Sequence, residues 1–305
     1  MKHIISTEQF TKEEVEKILA RTKIMEESCK AGNIEQTLKN KIVACVFFEP
    51  STRTRLSFET AALKLGAKVI SVENAENSSS VYKGESIEDT TRMLCCYADI
   101  IVMRHPKEGT SDKAVKVSDK PIINGGDGAN KHPTQAFLDL YTIQKEHGRL
   151  GGLSVAFVGD ILNSRTLRSL VPLLMLYPDN KFYFISPKEL VLSAEYRKYL
   201  NDNKVNFEET NDLENILPKV DVLYMTRVQK ERFSNIEDYE KVKDSFLLKF
   251  EDVKKLKNDA VIMHPLPRVN EIDVEIDKDP RAAYFRQAQN GLYMRMALLL
   301  YSVDL

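Results

Sequence analysis

The sequence has few of the residues that would assign it to a metal-binding or disulfide-stapled class. It contains no tryptophan, and its 305 residues include only four cysteines, Cys29, Cys45, Cys95 and Cys96. None of them forms a C-x-x-C pair, so neither a zinc site nor a disulfide framework is expected. We predict free thiols in a reducing compartment, with the cytoplasm as the location.

Long apolar runs and an excess of one charge are also missing. No segment approaches the length of a membrane-spanning helix, and the opening Met1-Lys2-His3 does not begin a signal peptide. The formal net charge is −1, so there is no overall basic field to attract a nucleic acid. We therefore predict neither a membrane partner nor a nucleic-acid partner.

What the chain does contain is a regular alternation of apolar and helical patterns. Helical spacing separates the strand-like runs, which lie at 42–48, 67–72, 99–104, 154–160, 181–185, 220–225 and 260–263. This alternation predicts an α/β protein with two doubly wound parallel-sheet domains. A new start at Gly151-Gly152 places the domain boundary near 149–152. Residues 124–128 are predicted to form a glycine-rich loop, and Pro133 to begin a helix that Gly148 ends.

The most informative stretch follows the first strand pattern and reads Glu49-Pro50-Ser51-Thr52-Arg53-Thr54-Arg55. Pro50 separates the strand from a helix that Ser51 or Thr52 can cap. A helix start offers free backbone N–H groups and partial positive charge, and nearby arginines make phosphate a natural ligand. The alternative is a capped helix with solvated arginines, and this stretch alone does not decide between the two.

Other polar clusters follow other strand patterns or begin a helix. They are Arg104-His105-Pro106, His132-Pro133-Thr134-Gln135, Thr226-Arg227-Val228-Gln229 and His264-Pro265-Leu266-Pro267-Arg268. Each alone is compatible with a solvated strand end or a turn. Ligands of open parallel sheets bind beyond the carboxyl ends of the strands, so their coincidence favours one anion-binding cleft. Gly159-Asp160 lacks the G-x-G-x-x-G spacing and no P-loop motif is present, which disfavours a nicotinamide dehydrogenase and a P-loop kinase.

In combination these motifs resemble the catalytic chains of the aspartate carbamoyltransferase family, nearly end to end. The resemblance rests on residues 48–55, Lys83-Gly84-Glu85, 103–106, 132–135, 225–229 and 264–268. Ornithine carbamoyltransferases share S-T-R-T-R and H-P-x-Q. They usually carry H-C-L-P in place of residues 264–267 and lack the T-R-x-Q element.

The resemblance implies the carbamoyltransferase fold, with two domains joined by interdomain helices. A carbamoyl-phosphate-binding domain would comprise residues 1–132 and a C-terminal helix of about 286–305, followed after a connecting helix (133–149) by an aspartate-binding domain (150–285). The implied activity is transfer of the carbamoyl group of carbamoyl phosphate to the α-amine of L-aspartate, an early step of de novo pyrimidine biosynthesis. Such a reaction proceeds by substrate positioning and oxyanion stabilisation, with no metal and no cofactor.

The resemblance also implies roles for individual residues. The phosphate would be held by Ser51, Thr52, Arg53, Thr54 and Arg104. The carbonyl oxygen, as it becomes negative, would accept hydrogen bonds from Thr54, Arg104 and His132. The carbamoyl amide would contact Gln135 and the backbone carbonyls of Leu266 and Pro267, which resemble the family's cis peptide. The two carboxylates of aspartate would bind Arg165, Arg227 and Gln229. Arg55 is predicted to be a structural ion-pair residue.

A further implication concerns the loop around Lys83. In the family this loop enters the active site of the neighbouring subunit, so Ser79 and Lys83 would serve catalysis and substrate binding across a homotrimer. Ser79 is chosen among Ser78–Ser80 by its four-residue offset from Lys83; on composition alone the segment would be a surface loop. A separate regulatory chain, and the choice between a free trimer and a dodecamer, stay open.

The sequence departs from the family pattern at two places, and two alternative functions are considered. Residues 162–164 and 291–295 differ from what family members often carry, and the first could shift the loop before Arg165. One alternative function is a transcarbamylase for another amino acid, which Arg165, Arg227 and Gln229 disfavour. The other is a catalytically silent homologue that acts as a binding subunit, although every predicted site residue is present.

Overall fold

The chain forms two compact units in a computed structural model that describes residues 1–75, 83–233 and 235–305. The first unit comprises Met1–Tyr141, Arg168–Leu173 and Gln289–Leu305, and the second comprises Thr142–Leu167 and Leu174–Ala288. Each unit contains one parallel β-sheet, so the predicted α/β class with two parallel sheets is confirmed. No helix among the described residues is both long and apolar enough to cross a membrane.

The sheet of the first unit has four parallel strands in the order β2-β1-β3-β4. Their bounds are Ile42–Phe47 (β1), Lys68–Glu73 (β2), Ile100–His105 (β3) and Ile122–Asp127 (β4). The central strands β1 and β3 are mostly buried, as their apolar runs predict. The edge strand β2 is exposed along most of its length.

The first unit's helices alternate with its strands along the chain. They are α1 (Lys12–Ala31), α2 (Thr52–Lys64), α3 (Ile87–Tyr97) and α4 (Thr110–Val117). Helix α1 starts with a capping box, since Thr11 Oγ1 accepts from the Glu14 N–H and the Glu14 side chain accepts from the Thr11 N–H. A core of buried aliphatic side chains supports the sheet, including Ala44, Val46, Ile101 and Met103.

The sheet of the second unit has five parallel strands in the order β7-β6-β5-β8-β9. Their bounds are Ser154–Val158 (β5), Lys181–Ile185 (β6), Asn206–Thr210 (β7), Val222–Met225 (β8) and Val261–Met263 (β9). The buried core of this unit includes Val158, Ile185, Leu223, Met225 and Ile262. Strands β5 and β8 lie side by side, which brings the loops that follow them together.

The remaining helices are α5 (Pro133–His147), α6 (Arg165–Met175), α7 (Ala194–Asp202), α8 (Ile236–Val242), α9 (Phe250–Val253) and α10 (Tyr284–Ser302). Helix α5 starts at Pro133 and Gly148 follows it with a φ of +70°, as predicted. Short 3₁₀ segments cover Thr7–Gln9, Lys188–Leu190, Leu217–Lys219, Lys230–Arg232 and Val274–Lys278.

The predicted loop at residues 124–128 is wrong, because most of it belongs to β4. The N–H of Asn124 donates to the carbonyl of Ile4, and the Asn124 side chain donates to the carbonyl of Ile5 and to Asp127. A bridge between Ile4 and Ile123 adds to this pairing. The N-terminal segment therefore supplies hydrogen-bond partners that the local glycine-rich composition does not reveal.

Strand β7 and helix α4 have no counterpart in the sequence prediction. The strand reads Asn-Phe-Glu-Glu-Thr, with one large apolar residue, and it lies at the edge of its sheet. Its carboxylates are paired, Glu208 with Lys181 at 3.1 Å and Glu209 with Arg197 at 2.6 Å. Pairing with β6 and with these cations therefore decides the conformation, since the residues themselves have little strand periodicity.

Candidate active site

The first candidate cluster begins where β1 ends and α2 starts. The N–H of Phe48 donates to the carbonyl of Arg104 at 2.8 Å, so the chain leaves the sheet beside β3. Ser51 then occupies the N-cap position of α2, as predicted, but its side chain forms no capping hydrogen bond. The first N–H groups of α2 thus lack that side-chain cap, which is the arrangement of a helix start that binds an anion.

Thr54 and Arg104 both lie around Gly125 in this cluster. A Cβ atom added to Gly125 would lie 3.6 Å from both Thr54 Cγ2 and Arg104 Cβ. Arg104 is held by Glu49, with Nε 2.7 Å from Oε1, and it also donates to the carbonyl of Gly125 at 3.4 Å. The absence of a side chain at Gly125 therefore leaves room for the Thr54 methyl group and the first carbon of the Arg104 side chain at the carboxyl edge of the sheet.

His132 and Gln135 are fixed by the start of α5. The carbonyl of His132 accepts from the N–H groups of Gln135 and Ala136, and its own N–H donates to Ser169 Oγ at 2.9 Å. Gln135 Nε2 donates to Asp139 Oδ1 at 2.9 Å, one turn further along the helix. Both the imidazole and the amide are largely buried. The hydrogen bond to Asp139 orients the Gln135 amide, and the contacts of His132 fix its backbone.

Arg295 on α10 adds a buried cation that the sequence analysis did not assign to the site. The residue is 4% exposed, and its guanidinium lies 5.2 Å from the centre of the Phe58 ring on α2. Burial lowers the pKa of Arg295 to about 10. The negative charge of Asp139 opposes this shift, and the positive charge of Arg104 adds to it. The guanidinium is therefore still charged at neutral pH and shares its surroundings with residues of the cluster. A helical Arg among apolar residues was the only sequence signal for it.

Arg55 turns away from this cluster and serves the fold. Its guanidinium pairs with Glu59 at 3.0 Å and with Glu73 on β2 at 2.9 Å. The prediction that Arg55 is a structural ion-pair residue is confirmed. Lys83 is exposed at the start of the second described stretch, and Ser79, like Ser78 and Ser80, lies outside the described residues.

The second candidate cluster belongs to the other unit and begins after β5. Asp160 is fully buried, and its carboxylate accepts hydrogen bonds from the N–H groups of Asn163 at 3.0 Å and Gln229 at 3.3 Å. Gln229 Nε2 donates in turn to the carbonyl of Asn163 at 3.1 Å. Burial raises the pKa of Asp160, although these hydrogen bonds act against the shift. Asp160 therefore ties the loop after β5 to the loop after β8.

Two of the predicted arginines lie next to the linked residues in the chain. Arg165 is the first residue of α6, two residues after Asn163, so the departure at residues 162–164 leaves it at a helix start. Arg227 lies between β8 and Gln229 and forms a double hydrogen bond with Glu231, one of them at 3.0 Å. Gly159, with a φ of +112°, allows the backbone to pass close to Thr226 at the same edge.

A third predicted element is the turn after β9. The Leu266-Pro267 peptide is cis, as the sequence resemblance implied, and Leu266 has a φ of +56°. His264 is 1% exposed, and its Nδ1 accepts from the Leu266 N–H at 2.8 Å. Glu271 lies 2.6 Å from His264 Nε2; burial alone would raise the pKa of Glu271, but this hydrogen bond holds it below its usual value. Neither residue's role was foreseen from the sequence beyond the His-Pro motif.

The structure thus groups the predicted site residues into two sets. In the first unit Thr54 and Arg104 both lie around Gly125, and Ser51–Arg53, His132 and Gln135 lie at the starts of α2 and α5. In the second unit Gln229 is tied to the loop after β5 through Asp160 and Asn163, and Arg165 and Arg227 lie next to these residues in the chain. Leu266 and Pro267 follow β9. Both sets consist of cations and fixed hydrogen-bonding groups, which suits anionic substrates.

Comparison with known proteins decides the family. Residues 2–145 match the model of the aspartate/ornithine carbamoyltransferase carbamoyl-P binding domain, and residues 151–302 match that of the Asp/Orn binding domain. The chain belongs to the aspartate/ornithine carbamoyltransferase family. The resemblance identified from the motifs is therefore confirmed.

Individual members of the carbamoyltransferase family are similar over nearly the whole chain. The aspartate carbamoyltransferase catalytic subunit of Alkaliphilus oremlandii is 49% identical, over 98% of this chain and 89% of that protein. The catalytic subunit of Methanocaldococcus jannaschii aspartate transcarbamoylase superimposes with a TM-score of 0.92 at 49% identity, over 100% of this chain and 98% of that one. Trypanosoma cruzi aspartate transcarbamoylase in complex with carbamoyl phosphate and aspartate gives 0.92 at 36% identity, over 98% and 95%.

The described part of this carbamoyltransferase contains no group of three or more His, Cys, Asp or Glu residues that could hold a metal ion. Asp160 and Asp139 are two further functional candidates that the motifs did not identify. Asp160 follows a strand pattern directly, which is a usable signal, whereas Asp139 is marked only by its four-residue spacing from Gln135.

Proposed function

We propose that the chain transfers the carbamoyl group of carbamoyl phosphate to the α-amine of L-aspartate, giving N-carbamoyl-L-aspartate and phosphate for pyrimidine biosynthesis. The observation that carries the proposal is the pair of cation-rich sets, one at the start of α2 and one around Asp160. Two anionic substrates need two such sets. The Trypanosoma cruzi relative, with the same fold, is in complex with carbamoyl phosphate and aspartate.

The first unit would bind carbamoyl phosphate. The uncapped start of α2 and the neighbouring Arg104 supply fixed positive charge for the phosphate, together with Ser51, Thr52, Arg53 and Thr54. The carbonyl oxygen would face Thr54, Arg104 and His132, and the amide would face Gln135. In the domain arrangement proposed, residues 1–132 and about 286–305 form this part and 133–149 connects it to the second.

The second unit would bind aspartate and complete the grip on the carbamoyl amide. Two carboxylates suit Arg165 and Arg227, with Gln229 held in place by Asn163 and Asp160. The backbone carbonyls of Leu266 and Pro267 would accept from the amide N–H groups. Residues 150–285 form this part in the proposed arrangement.

The reaction follows from positioning and charge. The uncharged amine of aspartate attacks the carbonyl carbon, a C–N bond forms, and negative charge builds on the carbonyl oxygen. Thr54, Arg104 and His132 stabilise that charge as hydrogen-bond donors, so His132 acts as a donor and not as a base. The C–O bond to phosphate then breaks, phosphate leaves with the bonding electrons, and the proton that the amine loses passes to the departing phosphate. Fixed donors lower this barrier without a covalent intermediate.

We extend the proposal to a cytoplasmic homotrimer whose sites are shared between subunits. Its support is a set of exposed apolar side chains on the first unit, Ile70 and Val72 on the edge strand β2, Leu63 on α2 and Tyr97 at the end of α3. An edge strand with exposed aliphatic side chains is normally covered. Lys83 lies on the same unit, and the trimer would place Ser79 and Lys83 in a neighbour's active site. Binding of a separate regulatory chain is compatible with this arrangement.

The test is to incubate the purified chain with carbamoyl phosphate and L-aspartate and to measure N-carbamoyl-aspartate and phosphate together. Equal amounts of both products are expected, and neither should form when aspartate is omitted beyond the spontaneous decay of carbamoyl phosphate. Ornithine in place of aspartate is the matched control for acceptor choice. Ornithine as the better acceptor, or no carbamoyl transfer at saturating substrates, would overturn the proposal.

A further inference from the structure

The turn after β9 is built around a buried imidazole. His264 Nδ1 accepts a hydrogen bond from the Leu266 N–H at 2.8 Å, while its Nε2 lies 2.6 Å from Glu271 Oε1. A backbone N–H can only donate, so Nδ1 must be the nitrogen without a proton. The proton is therefore on Nε2, which donates to Glu271. Both ring nitrogens are engaged by the protein, which leaves the imidazole no lone pair for chemistry on a substrate.

Glu271 forms hydrogen bonds at the other end of the same turn. Its second oxygen accepts from the N–H groups of Val269 at 3.0 Å and Asn270 at 3.2 Å, and the residue is only 4% exposed. The N–H of His264 is anchored as well, since it donates to Gln287 Oε1 on α10 at 2.9 Å. Hydrogen bonds to one imidazole and one carboxylate thus hold the backbone of residues 264–271 in place. Leu266 and Pro267 lie within this segment.

We propose that His264 and Glu271 are positioning residues that make the enzyme selective for a carbamoyl donor over an acetyl donor. They hold the carbonyl oxygens of Leu266 and Pro267 still, so that these can accept from the two N–H bonds of a carbamoyl amide. This inference rests on the proposed function, in which those carbonyls contact that amide. Neither side chain is assigned a contact with the substrate.

The selectivity follows because a methyl group cannot donate a hydrogen bond. Acetyl phosphate has nearly the shape of carbamoyl phosphate but carries CH₃ where the latter carries NH₂. Against rigid acceptors the methyl group leaves two carbonyl oxygens without the hydrogen bonds that the NH₂ group would donate, and such a loss is expensive. In a more mobile turn the two carbonyl oxygens could bind water or rotate away from the methyl group. Most of the discrimination between acetyl phosphate and carbamoyl phosphate therefore depends on the rigidity that His264 and Glu271 provide.

Two substitutions of His264 separate its two hydrogen bonds. In His264→Asn the side-chain oxygen takes the place of Nδ1 and can still accept from Leu266, whereas in His264→Gln the terminal amide takes the place of Nε2 and can still donate to Glu271. The measurement is the ratio of dissociation constants for acetyl phosphate and carbamoyl phosphate, with aspartate absent. We expect the ratio to fall about tenfold in His264→Gln and to change little in His264→Asn.

Glu271→Gln provides a second, independent test if His264→Gln does not fold. It keeps the size of the side chain and weakens the hold on Val269 and Asn270, and the same ratio is expected to fall. A purely structural role would weaken both donors equally and lower the melting temperature without moving the ratio, and that result in either folded variant overturns the inference. Absence of carbamoyl transfer by the wild-type enzyme is a different result, which would overturn the proposed function itself.

Discussion

Gln135 Nε2 donates a hydrogen bond to Asp139 Oδ1 at 2.9 Å, and both side chains are buried on α5. A carboxylate can only accept, so this contact assigns the amide: its nitrogen faces Asp139 and its oxygen faces the other way. The oxygen is thereby presented as an acceptor, which is what recognition of a carbamoyl NH₂ group requires. Asp139 thus determines that Gln135 presents its amide oxygen, and not its amide nitrogen, to a ligand.

We expect Asp139→Asn to weaken carbamoyl phosphate binding by about tenfold, because an asparagine can hold the Gln135 amide in either orientation. Aspartate binding should change much less. A double-mutant cycle with Gln135→Ala supplies the control. If Asp139 acts through Gln135, its substitution costs little further activity in the Gln135→Ala background; fully additive losses would contradict the prediction.

Asp160→Asn should lower kcat/KM for aspartate by at least about tenfold, because one substitution weakens hydrogen bonds to two loops of the site. The dissociation constant of carbamoyl phosphate should stay near the wild-type value. Asp212→Asn is a matched control, since Asp212 accepts from the Asn215 N–H in the same three-residue pattern but is exposed. Equal effects of the two variants would show that the Asp160 network does not position the site.

The shared site predicts complementation between inactive chains. Arg53→Ala should lose activity by several orders of magnitude with its fold intact, because it removes contacts to the phosphate in the bound and transition states. Mixing it with Lys83→Ala chains should regenerate intact sites in hybrid trimers. The measurement is activity after subunit exchange, with exchange confirmed by native mass spectrometry. Hybrids that form and remain inactive would exclude a site that borrows Lys83.

Asp221 predicts a pH-dependent contribution to the stability of the second unit. Burial would raise the pKa of Asp221, but Lys257 at 2.8 Å and the Ser154 N–H at 2.7 Å hold it below its ordinary value of 3.8. A lowered folded-state pKa stabilises the fold above about pH 3.8, and this contribution is lost as the pH falls through the folded pKa. Asp221→Asn should therefore lower the free energy of unfolding by about 1–3 kcal/mol at pH 7.

Urea unfolding at pH 7 and pH 3, followed by circular dichroism, measures this difference. The gap between wild type and Asp221→Asn should shrink at the lower pH. Asp202→Asn is the control, because Asp202 pairs with Lys198 on an exposed helix face and should have a small effect. A gap that stays constant with pH would mean that the charge of Asp221 is not what stabilises the unit.

Cys45 should resist alkylation in the folded protein. Burial on β1 raises its pKa to about 12, so almost no thiolate exists at pH 8, and reagents cannot reach the sulfur. Iodoacetamide treatment followed by peptide mass spectrometry is expected to leave Cys45 unmodified until urea unfolds the chain. Rapid modification of Cys45 in the native protein would contradict the burial of β1.

The motifs at residues 51–54, 132–135 and 227–229 could be predicted because each is local. A strand pattern followed by Pro50 and a hydroxyl-rich helix start is visible in a window of about ten residues, and the cis turn at Leu266-Pro267 sits in an equally short motif. By contrast, the pairing of residues 122–127 into β4 depends on the N-terminal segment more than a hundred residues away. No local pattern encodes such a contact.

The sequence by itself determined the alternation of strands and helices, the family, and which side chains are available for anions. Only the tertiary structure decided that Arg55 is occupied by Glu59 and Glu73, that Asp139 orients Gln135, and that His264 and Glu271 fasten the Leu266 turn. The physical reason is that a residue type fixes what hydrogen bonds a side chain can make. Which of them it makes depends on partners that the fold brings within about 3 Å.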